Sequence, residues 1–344
     1  MVMLGEVLAV MADPFLPSFT TFTRKPFSHS GGVWTATQAF QARAGTTWLS
    51  AAPQQGHRQV NAGGYTGSTH VTTIDYTNIP SAAAGKDFAD LTVIKGDMRA
   101  SSQGRGKMSF AGGYSSGGGS FNVIEYFTTA VGGTCLDGGD LHTAGFSGGS
   151  CSDGTLAVLS SYANDSDDIQ YYSLATMVNT EDWGDLTANG YIRCGTNHPV
   201  RGIFSGGRQP SNVHIDHINR ITFASKADAV SYGSLAAAKM SSGSAENGKE
   251  SLVCGGEGPS GMTNTMDILQ IMTDGDVSVG STITEPTNYM VMGSHNDKAT
   301  WQAVHSGYAS GNNIYTLNMA TRVTADSGND LSQARGAGHG TSGE

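Results

Sequence analysis

The chain has 344 residues, of which 14% are charged, and its 19 basic and 29 acidic residues give a formal net charge of −10. Glycine contributes 48 residues and proline only 9, which excludes a collagen-like or proline-rich chain, while the 8% of aromatic residues argues against ordinary disorder. The acidic balance argues against a nucleic-acid-binding protein, whose usual signature is a basic patch.

We expect no secretory signal and no membrane span in this sequence. Residues 1–15 contain no Lys or Arg, and Glu6 lies within their short apolar run, unlike a secretory signal. No run approaches the ~18 apolar residues of a membrane span. The four cysteines form no C-x-x-C pair, so we expect free thiols, with a Cys135–Cys151 disulfide as the alternative.

One sequence unit recurs along the chain. Short apolar runs end in a pair of small residues at six places, and successive pairs begin 46 to 51 residues apart. The six pairs begin at Gly63, Gly112, Ser160, Gly206, Gly255 and Ser306. Random placement of glycine would not maintain this spacing, so the chain is built from a repeat of about 49 residues.

Each repeat predicts four short strands. The run after each small pair alternates β-branched and aromatic residues, as in VTTIDYTNI at 71–79. A third element has an Asp-Leu pattern, as in DWGDLT at 182–187, and a small-residue-rich fourth, RASSQG at 99–104, precedes the next unit. Four strands in such a period indicate a propeller blade, so we predict an all-β fold with a single β-propeller domain over residues 1–344.

The number of blades follows from the termini. Six repeats are clearly recognisable, and VLAVMADP at 7–14 resembles the apolar run of the third repeat. The chain also ends on an orphan fourth-type element at 334–340, which a strand near 7–12 would complete, removing exposed sheet edges. We predict seven blades, with 1–47 as an atypical first blade that closes the ring. Six blades with 1–47 as an arm is the alternative.

The apolar run before each small pair is predicted to form the core. The central side chains of these runs are Val60, Phe110, Leu159, Phe204, Val253 and Val304. We expect them to be buried between neighbouring blades, because burial of a large apolar side chain contributes roughly 1.5–3 kcal/mol.

The sequence motifs of the repeats resemble those of a known family. NVIEY at 122–126, the D-[FW]-x-D-L-T strings at 87–92 and 182–187, R-x-S-S at 99–102 and FAGGY at 110–114 together resemble kelch-like repeat proteins of tailed, often marine, bacteriophages. The resemblance covers about 57–340, although the fifth and sixth units lack the D-[FW]-x-D-L-T string. It implies a virion-associated tail, tail-fibre or adsorption-apparatus component that assembles with other virion proteins.

Three features invite a search for metal or catalytic chemistry. His214 and Asp216 share one face of a predicted strand and His217 the other, and His217 aligns with the repeated Tyr position, so these residues do not converge on a metal. The stretch at 164–168 offers oxygen ligands for calcium but lacks EF-hand spacing, so a solvated turn is expected. An Asp that recurs once per repeat, as Asp90 does, is expected to close a turn.

The sequence contains no G-x-S-x-G, P-loop or H-E-x-x-H string. We therefore predict no catalytic residue, no cofactor and no metal site. Neither nucleic acid nor membrane insertion is expected.

The loops after the small pairs are the predicted recognition surface. They are rich in Tyr, Ser, Gly and Asn, a composition typical of adaptable binding loops, and they join the second and third strands on one face. The predicted binding residues are Tyr65, Tyr114, Tyr162, Arg208 and Tyr308. The alternative is that the Tyr rings pack against the neighbouring blade as part of the repeat consensus.

The expected function is that of a non-enzymatic structural and interaction protein in a phage particle. A rigid propeller would serve there as a scaffold for contacts with virion proteins or the host surface. The two alternatives are a carbohydrate-binding adsorption module and a propeller glycosidase or lyase, because the fold alone does not choose among them.

Overall fold

The computed structural model describes residues 57–98, 100–160, 166–304, 311–337 and 342–343. The chain divides into two units, Met1–Ala52 and Pro53–Glu344, and every described residue belongs to the second. Within these residues the regular structure is β-strand apart from one 3-10 turn at Pro210–Asn212, which confirms the all-β prediction.

Six sheets form the six blades of a β-propeller, each with an inner, a second, a third and an outer strand. In blade order the inner strands are Ser342–Gly343, Ala100–Gly104, Ser150–Ser152, Cys194–Thr196, Gly243–Glu246 and Asn288–His295. The second strands are Arg58–Ala62, Lys107–Ala111, Leu156–Leu159, Arg201–Ser205, Glu250–Cys254 and Lys298–Val304. The third strands are Thr73–Asn78, Val123–Thr128, Asp168–Ser173, His217–Thr222, Thr265–Gln270 and Gly311–Asn318. The outer strands are Lys86–Asp90, Leu136–Asp140, Glu181–Asp185, Val230–Ser234, Ser278–Thr282 and Val323–Arg335.

Short strands supplement these sheets. Among the described residues, three two-stranded hairpins lie in the loops between second and third strands, and Gly133–Thr134 of blade 2 pairs parallel with the outer strand of blade 1. The hairpins are Tyr114–Ser115 with Gly119–Ser120, Arg208–Gln209 with Val213–His214, and Glu257–Gly258 with Gly261–Met262.

The ring contains six blades, so the prediction of seven is wrong and the six-blade alternative is correct. Each inner strand contacts the inner strands of both neighbouring blades, and the six together surround a central channel. The C-terminal strand Ser342–Gly343 is the inner strand of blade 1, where it pairs antiparallel with Arg58–Ala62. The ring is therefore complete between residues 58 and 343.

The error has a physical reason. The strand that pairs with Arg58–Ala62 is Ser342–Gly343, which lies just beyond the orphan element predicted at 334–340, and Arg335 ends the outer strand of blade 6. This pairing supplies the first plain repeat with an inner strand and covers both strand edges without a seventh blade. The predicted closing strand near 7–12, and residues 1–47 as a blade or an arm, lie outside the described residues.

The core consists of apolar clusters between blades. Val60, Phe110, Leu159, Phe204 and Val253 are at most 1% exposed, which confirms the core prediction for five of the six side chains. The side chain of the sixth residue, at position 304, is outside the described set. Five apolar clusters fill the successive interfaces from blades 1 and 2 to blades 5 and 6. Each blade is thus stabilised mainly by its neighbours.

In the described residues the interface between blades 6 and 1 is polar instead. Gln59 Nε2 donates to the Val291 carbonyl at 2.9 Å and to Gln302 Oε1 at 3.2 Å. Asn61 Nδ2 donates to the same Gln302 oxygen at 3.0 Å, and Thr300 Oγ1 donates to Gln59 Oε1 at 2.6 Å. All four side chains are buried. Since buried polar groups are costly unless paired, this network fixes the register at which the ring closes.

Three buried ion pairs among the described residues join the segment before an inner strand to the third strand of the same blade. The cation stands shortly before an inner strand, and the carboxylate belongs to the third strand. The pairs and their N···O distances are Lys95–Glu125 at 2.5 Å, Lys239–Asp267 at 2.9 Å and Arg335–Asp75 at 3.1 Å. These side chains are at most 2% exposed, so each charge depends on its partner.

The Thr of the Asp-Leu-Thr string also links blades. Thr92 donates its backbone N–H to Glu125 Oε1 at 2.6 Å, and its hydroxyl bonds the same oxygen. Thr187 binds Asn219 of the following blade in the same way, through its N–H at 2.9 Å and its hydroxyl at 2.6 Å. The Thr that follows an outer strand therefore forms hydrogen bonds with the polar side chain on the third strand of the next blade, whether that side chain is charged or neutral.

The recurring Asp protects the outer edge through its backbone. Its carbonyl accepts an N–H from the next blade, and the links are Asp90–Cys135 at 2.8 Å, Asp140–Thr180 at 2.9 Å, Asp185–Ala229 at 2.8 Å and Asp330–Gly85 at 2.8 Å. Neighbouring blades thus satisfy groups that an edge strand would expose. The expectation that this Asp closes a turn is wrong, since Asp137 and Asp182 accept the turn N–H groups of Gly139 and Gly184 instead.

The first residue of the small pair is glycine in blades where its backbone approaches that of the connection into the next blade. Gly63 and Gly206 have φ of +59° and +62°, a region that favours glycine. A Cβ at Gly63 would lie 2.3 Å from the Lys95 carbonyl oxygen, and one at Gly206 would lie 2.4 Å from that of Lys239. The second glycine of each pair donates its N–H to the same carbonyl.

All four cysteines are buried free thiols, as expected. Cys135 lies between blades 1 and 2, and Cys151 lies between blades 3 and 4. Burial is the largest cause that raises the pKa of the Cys135 thiol to about 12, so this thiol is protonated at neutral pH.

We expect Phe110→Ala to destabilise the propeller by about 3–5 kcal/mol, because it opens a cavity between two blades. Val131→Ser is the control, because Val131 is 78% exposed in a hairpin loop, and its effect should stay within about 0.5 kcal/mol. Chemical denaturation of both variants measures the difference, and equal midpoints would contradict this account of the core.

We expect Lys95→Met to cost about 3–5 kcal/mol, since Glu125 is left as an unpaired buried charge. The double variant Lys95→Met with Glu125→Gln should recover much of that loss. Blade 3 supplies the precedent, because it carries Gln170 and Gly145 at the two equivalent positions. Urea unfolding of both variants is the measurement, and a double variant as unstable as the single one would contradict the pairing argument.

Candidate functional site

Three of the predicted binding residues, Tyr65, Tyr114 and Arg208, are described, and they occupy one structural position immediately after the small pair. These three residues and Glu257 of blade 5 each form an antiparallel backbone bridge with a residue that precedes an inner strand. The bridges are Tyr65↔Gly336, Tyr114↔Gly96, Arg208↔Tyr191 and Glu257↔Met240. These residues form one rim, on the face of the 2–3 and 4–1 loops. Tyr162 and Tyr308 lie outside the described residues.

Aromatic side chains form a continuous arc on this rim. Ring centroids are 5.2 Å apart for Tyr65 and His70, 6.1 Å for His70 and Tyr114, and 5.4 Å for Tyr114 and Phe146. Burial lowers the pKa of His70, which favours the neutral ring. Tyr65 and Tyr114 are half-buried, so each packs against a neighbour and still exposes part of its ring. The structure therefore supports both the recognition and the packing interpretations.

Arg208 is restrained on the same rim. Its Nε and Nη2 atoms donate to the Tyr191 hydroxyl at 3.0 and 2.6 Å, and its guanidinium lies 5.0 Å from the Tyr191 ring centroid. It pairs with His214 in a short hairpin. The structure thus holds Arg208 in a defined position beside the aromatic arc.

Sequence reasoning missed Glu257, which holds the same position in blade 5. It follows Gly255 and Gly256 as Tyr65 follows its own glycine pair, so alignment of the repeats would have found it. Asn288 Nδ2 donates to Glu257 Oε2 at 3.0 Å. The rim therefore presents aromatic, basic and acidic side chains on one repeated backbone.

Inside the rim, six residues with left-handed backbone surround the channel mouth. Five come from the connections into inner strands and Tyr289 from the start of the inner strand Asn288–His295, with φ between 44° and 57°. They are Asp97, Ser147, Ile192, Ser241, Tyr289 and Ala337. Backbone hydrogen bonds link successive members around the ring, with N···O distances of 2.8 Å from Asp97 to Ala337, 2.8 Å from Ser147 to Asp97 and 2.6 Å from Ile192 to Ser147. This arrangement had no side-chain signature in the sequence.

A cavity of about 60 Å³ opens between these residues. Its lining consists of Asp97, Ser147, Gly148, Ile192, Arg193, Ser241, Ser242, Tyr289 and Met290. Burial raises the pKa of Asp97 to about 7. The side chain keeps some exposure toward the channel, but protein atoms replace most of the water that would stabilise its charge.

The structure separates the histidines that invited a metal search. His214 lies in the rim hairpin, whereas His217 is exposed at the start of a third strand. The repeated Tyr position belongs to Arg220, which faces Ile203 as Tyr76 faces Val60, so the alignment of His217 with that position was wrong. The buried Ile218 sets this register, because it occupies the position of Ile74.

The calcium alternative at 164–168 lies partly outside the described residues. Asp168 Oδ2 accepts a hydrogen bond from Gln170 at 2.7 Å. In the described part of the chain, no group of three or more His, Cys, Asp or Glu side chains is placed to hold a metal ion. No helix among the described residues is long and apolar enough to cross a membrane.

The sequence matches no known protein-family model and no curated protein. The rim and the channel mouth are therefore the features of this chain that bear on its function.

We expect Asp97→Asn to stabilise the protein increasingly as pH rises from about 4 to about 7. The native state keeps a proton on Asp97 in this window, whereas the unfolded chain, with the ordinary pKa of 3.8, has released it. The wild-type free energy of unfolding therefore falls through the window and stays low above it. At pH 8 the variant should be more stable by about 1–3 kcal/mol, after allowing for partial exposure.

Unfolding free energies of both proteins at pH 4.5, 6 and 8 measure this difference. Asn tolerates the left-handed backbone at this position, so the substitution adds little strain. A difference that stays constant across the three pH values would contradict the assignment.

Proposed function

We propose that this protein is a non-enzymatic interaction scaffold of a tailed bacteriophage particle, in its tail, tail fibre or adsorption apparatus. In this role the rim that carries Tyr65, Tyr114, Arg208 and Glu257 contacts another virion protein or the host surface. The viral assignment is supported by the resemblance of the repeat motifs to those of kelch-like phage proteins. The interaction role is supported by the rim itself.

One observation carries the interaction role: the rim has a constant backbone and variable side chains. The same antiparallel bridge recurs in the four blades whose residue at this position is described, and that residue is Tyr, Tyr, Arg or Glu. The two other repeats have Tyr162 and Tyr308 in the sequence, so Arg208 and Glu257 are the departures from a repeated Tyr. A packing consensus alone would favour Tyr at every blade. Variation on a rigid frame is typical of surfaces that bind partners.

The rim chemistry suits a protein or a glycan partner. The arc from Tyr65 through His70 and Tyr114 to Phe146 offers ring faces and edges beside loops rich in hydroxyl groups. Tyrosine supplies contact area at low entropic cost, and Arg208 and Glu257 add opposite charges nearby. A carbohydrate-binding adsorption module is therefore the second candidate, and the aromatic arc is the feature that favours it.

A propeller glycosidase or lyase remains the third candidate because of Asp97. A carboxyl group with its pKa raised to about 7 has the property required of a general acid. Glycoside hydrolysis usually needs a second carboxylate about 5–10 Å away. Asp97 is the one carboxyl group among the described residues that line the cavity, so we favour a binding role for this face.

Mass spectrometry of purified particles tests the viral assignment. The chain should copurify with tail proteins at a fixed stoichiometry through density-gradient centrifugation. Its presence only in the infected-cell lysate, and not in the particles, would sink the proposal.

We expect the double variant Tyr65→Ser/Tyr114→Ser to reduce incorporation into particles, or adsorption of particles to host cells, by at least about tenfold. The partly exposed rings would be lost while the backbone bridges remain. The control is Val131→Ser/Val178→Ser, which changes two exposed side chains in hairpin loops on the opposite face. Adsorption counts and thermal melting are measured together.

The two interpretations of the tyrosines differ in outcome. Lost binding with a melting temperature close to wild type supports the recognition role. A large fall in melting temperature with binding intact would show that the rings only pack against their neighbours. A glycan array with the same variants separates a carbohydrate partner from a protein partner.

A further inference from the structure

Two buried donor groups on residues that line the cavity have no hydrogen-bond partner among the described residues. Ser241 is 7% exposed and its Oγ has no hydrogen-bond partner, and Arg193 is 5% exposed and its Nε likewise has none. Both residues line the cavity. A buried polar group left unpaired costs about 1–3 kcal/mol, so two of them at one cavity indicate a ligand that accepts hydrogen bonds.

The positive charge of Arg193 also has no carboxylate partner among the described residues. Arg193 Nη1 donates to the Gly206 carbonyl at 3.0 Å, and Nη2 donates to the carbonyl of Ala188 at 2.9 Å. In the described residues no carboxylate pairs with this guanidinium, in contrast to Lys95, Lys239 and Arg335. Burial lowers the pKa of Arg193 to about 10, which leaves it cationic at neutral pH.

We propose that this cavity binds a small oxyanion of carboxylate size, held by the Arg193 Nε–H and the Ser241 hydroxyl. Ser147 contributes a third hydroxyl on the lining. A metal cation would not satisfy the Arg193 donor and would be repelled by its charge. A water molecule needs roughly 10–15 Å³ of such space, so the ~60 Å³ cavity has room for a group of a few atoms.

Asp97 makes the binding dependent on pH. When protonated it is an additional donor on the cavity wall, and when ionised it repels an anion. The other titratable groups of the lining are Arg193 and Tyr289. Lys95 and Arg335, near this part of the ring, are paired with carboxylates. Anion affinity should therefore fall as pH rises through the titration of Asp97.

The test uses sodium acetate as the probe and saturation-transfer NMR on the full-length protein. Sodium chloride keeps the ionic strength constant, so that general screening does not mimic binding. We expect saturable transfer to the acetate methyl group at pH 6 and roughly tenfold weaker binding at pH 8.5, one pKa unit of interaction being about tenfold. Asp97→Asn should bind acetate with little dependence on pH.

Two serine variants separate a specific site from surface adsorption. Ser241→Ala should weaken acetate binding at least about threefold without lowering the melting temperature, because it removes an unpaired buried hydroxyl. Ser205→Ala is the matched control, since the Ser205 hydroxyl is also buried and without a partner among the described residues but is not part of the cavity lining, and the affinity of this variant should equal that of wild type. Absence of saturable binding at pH 6, equal affinity in wild type and Ser241→Ala, or tighter binding at pH 8.5 would each overturn the proposal.

Discussion

The pairing of Ser342–Gly343 with Arg58–Ala62 is the constraint on which the ring depends. Each of the other five blades takes its inner strand from the connection that precedes its second strand, so only blade 1 joins the two ends of the propeller. The last interface is also the one at which described residues form a polar network instead of an apolar cluster. The hydrogen bond between Gln59 and Gln302 restricts how the strands of blades 6 and 1 can align, because a shift of one strand would leave buried amide groups unpaired. Hydrogen bonds between buried polar side chains thus take the place of an apolar cluster at the interface between blades 6 and 1, where the ring closes.

The remaining interfaces repeat three kinds of links at increasing distance from the channel. Backbone hydrogen bonds connect the left-handed residues around the mouth, ion pairs or amides connect the third strands to the preceding loops, and the carbonyl of the recurring Asp secures the outer edge. Most of these links use backbone atoms, so they place few demands on side chains. This explains how the repeats keep one geometry while their sequences diverge, and why the rim is free to vary.

Much of the strand pattern was predictable, because spacing and alternation are properties of the sequence itself. The runs that end in small pairs became the buried second strands, and DFADLT and DWGDLT contributed to outer strands. The blade count was not predictable in the same way, since it depends on which edge the C-terminal strand meets. The channel mouth was harder still. Asp97 and Ile192 share a backbone conformation but no chemistry, so the position they share is invisible without coordinates.

Departures from the repeat mark the channel mouth as a distinct site on a nearly symmetric frame. Blades 1, 2 and 5 place Arg335, Lys95 and Lys239 against a carboxylate, but the equivalent position before blade 4 is Gly190. A Cβ at Gly190 would lie 3.1 Å from Arg193 Nη2, so the glycine makes room for the Arg193 guanidinium three residues later. Blade 4 thus has its buried cation on the residue that follows the left-handed position, and its third strand has Asn219 where that of blade 2 has Glu125. Local rules tend to be broken where a protein serves a function, and here the break places a buried cation, with no carboxylate partner among the described residues, on the lining of the cavity.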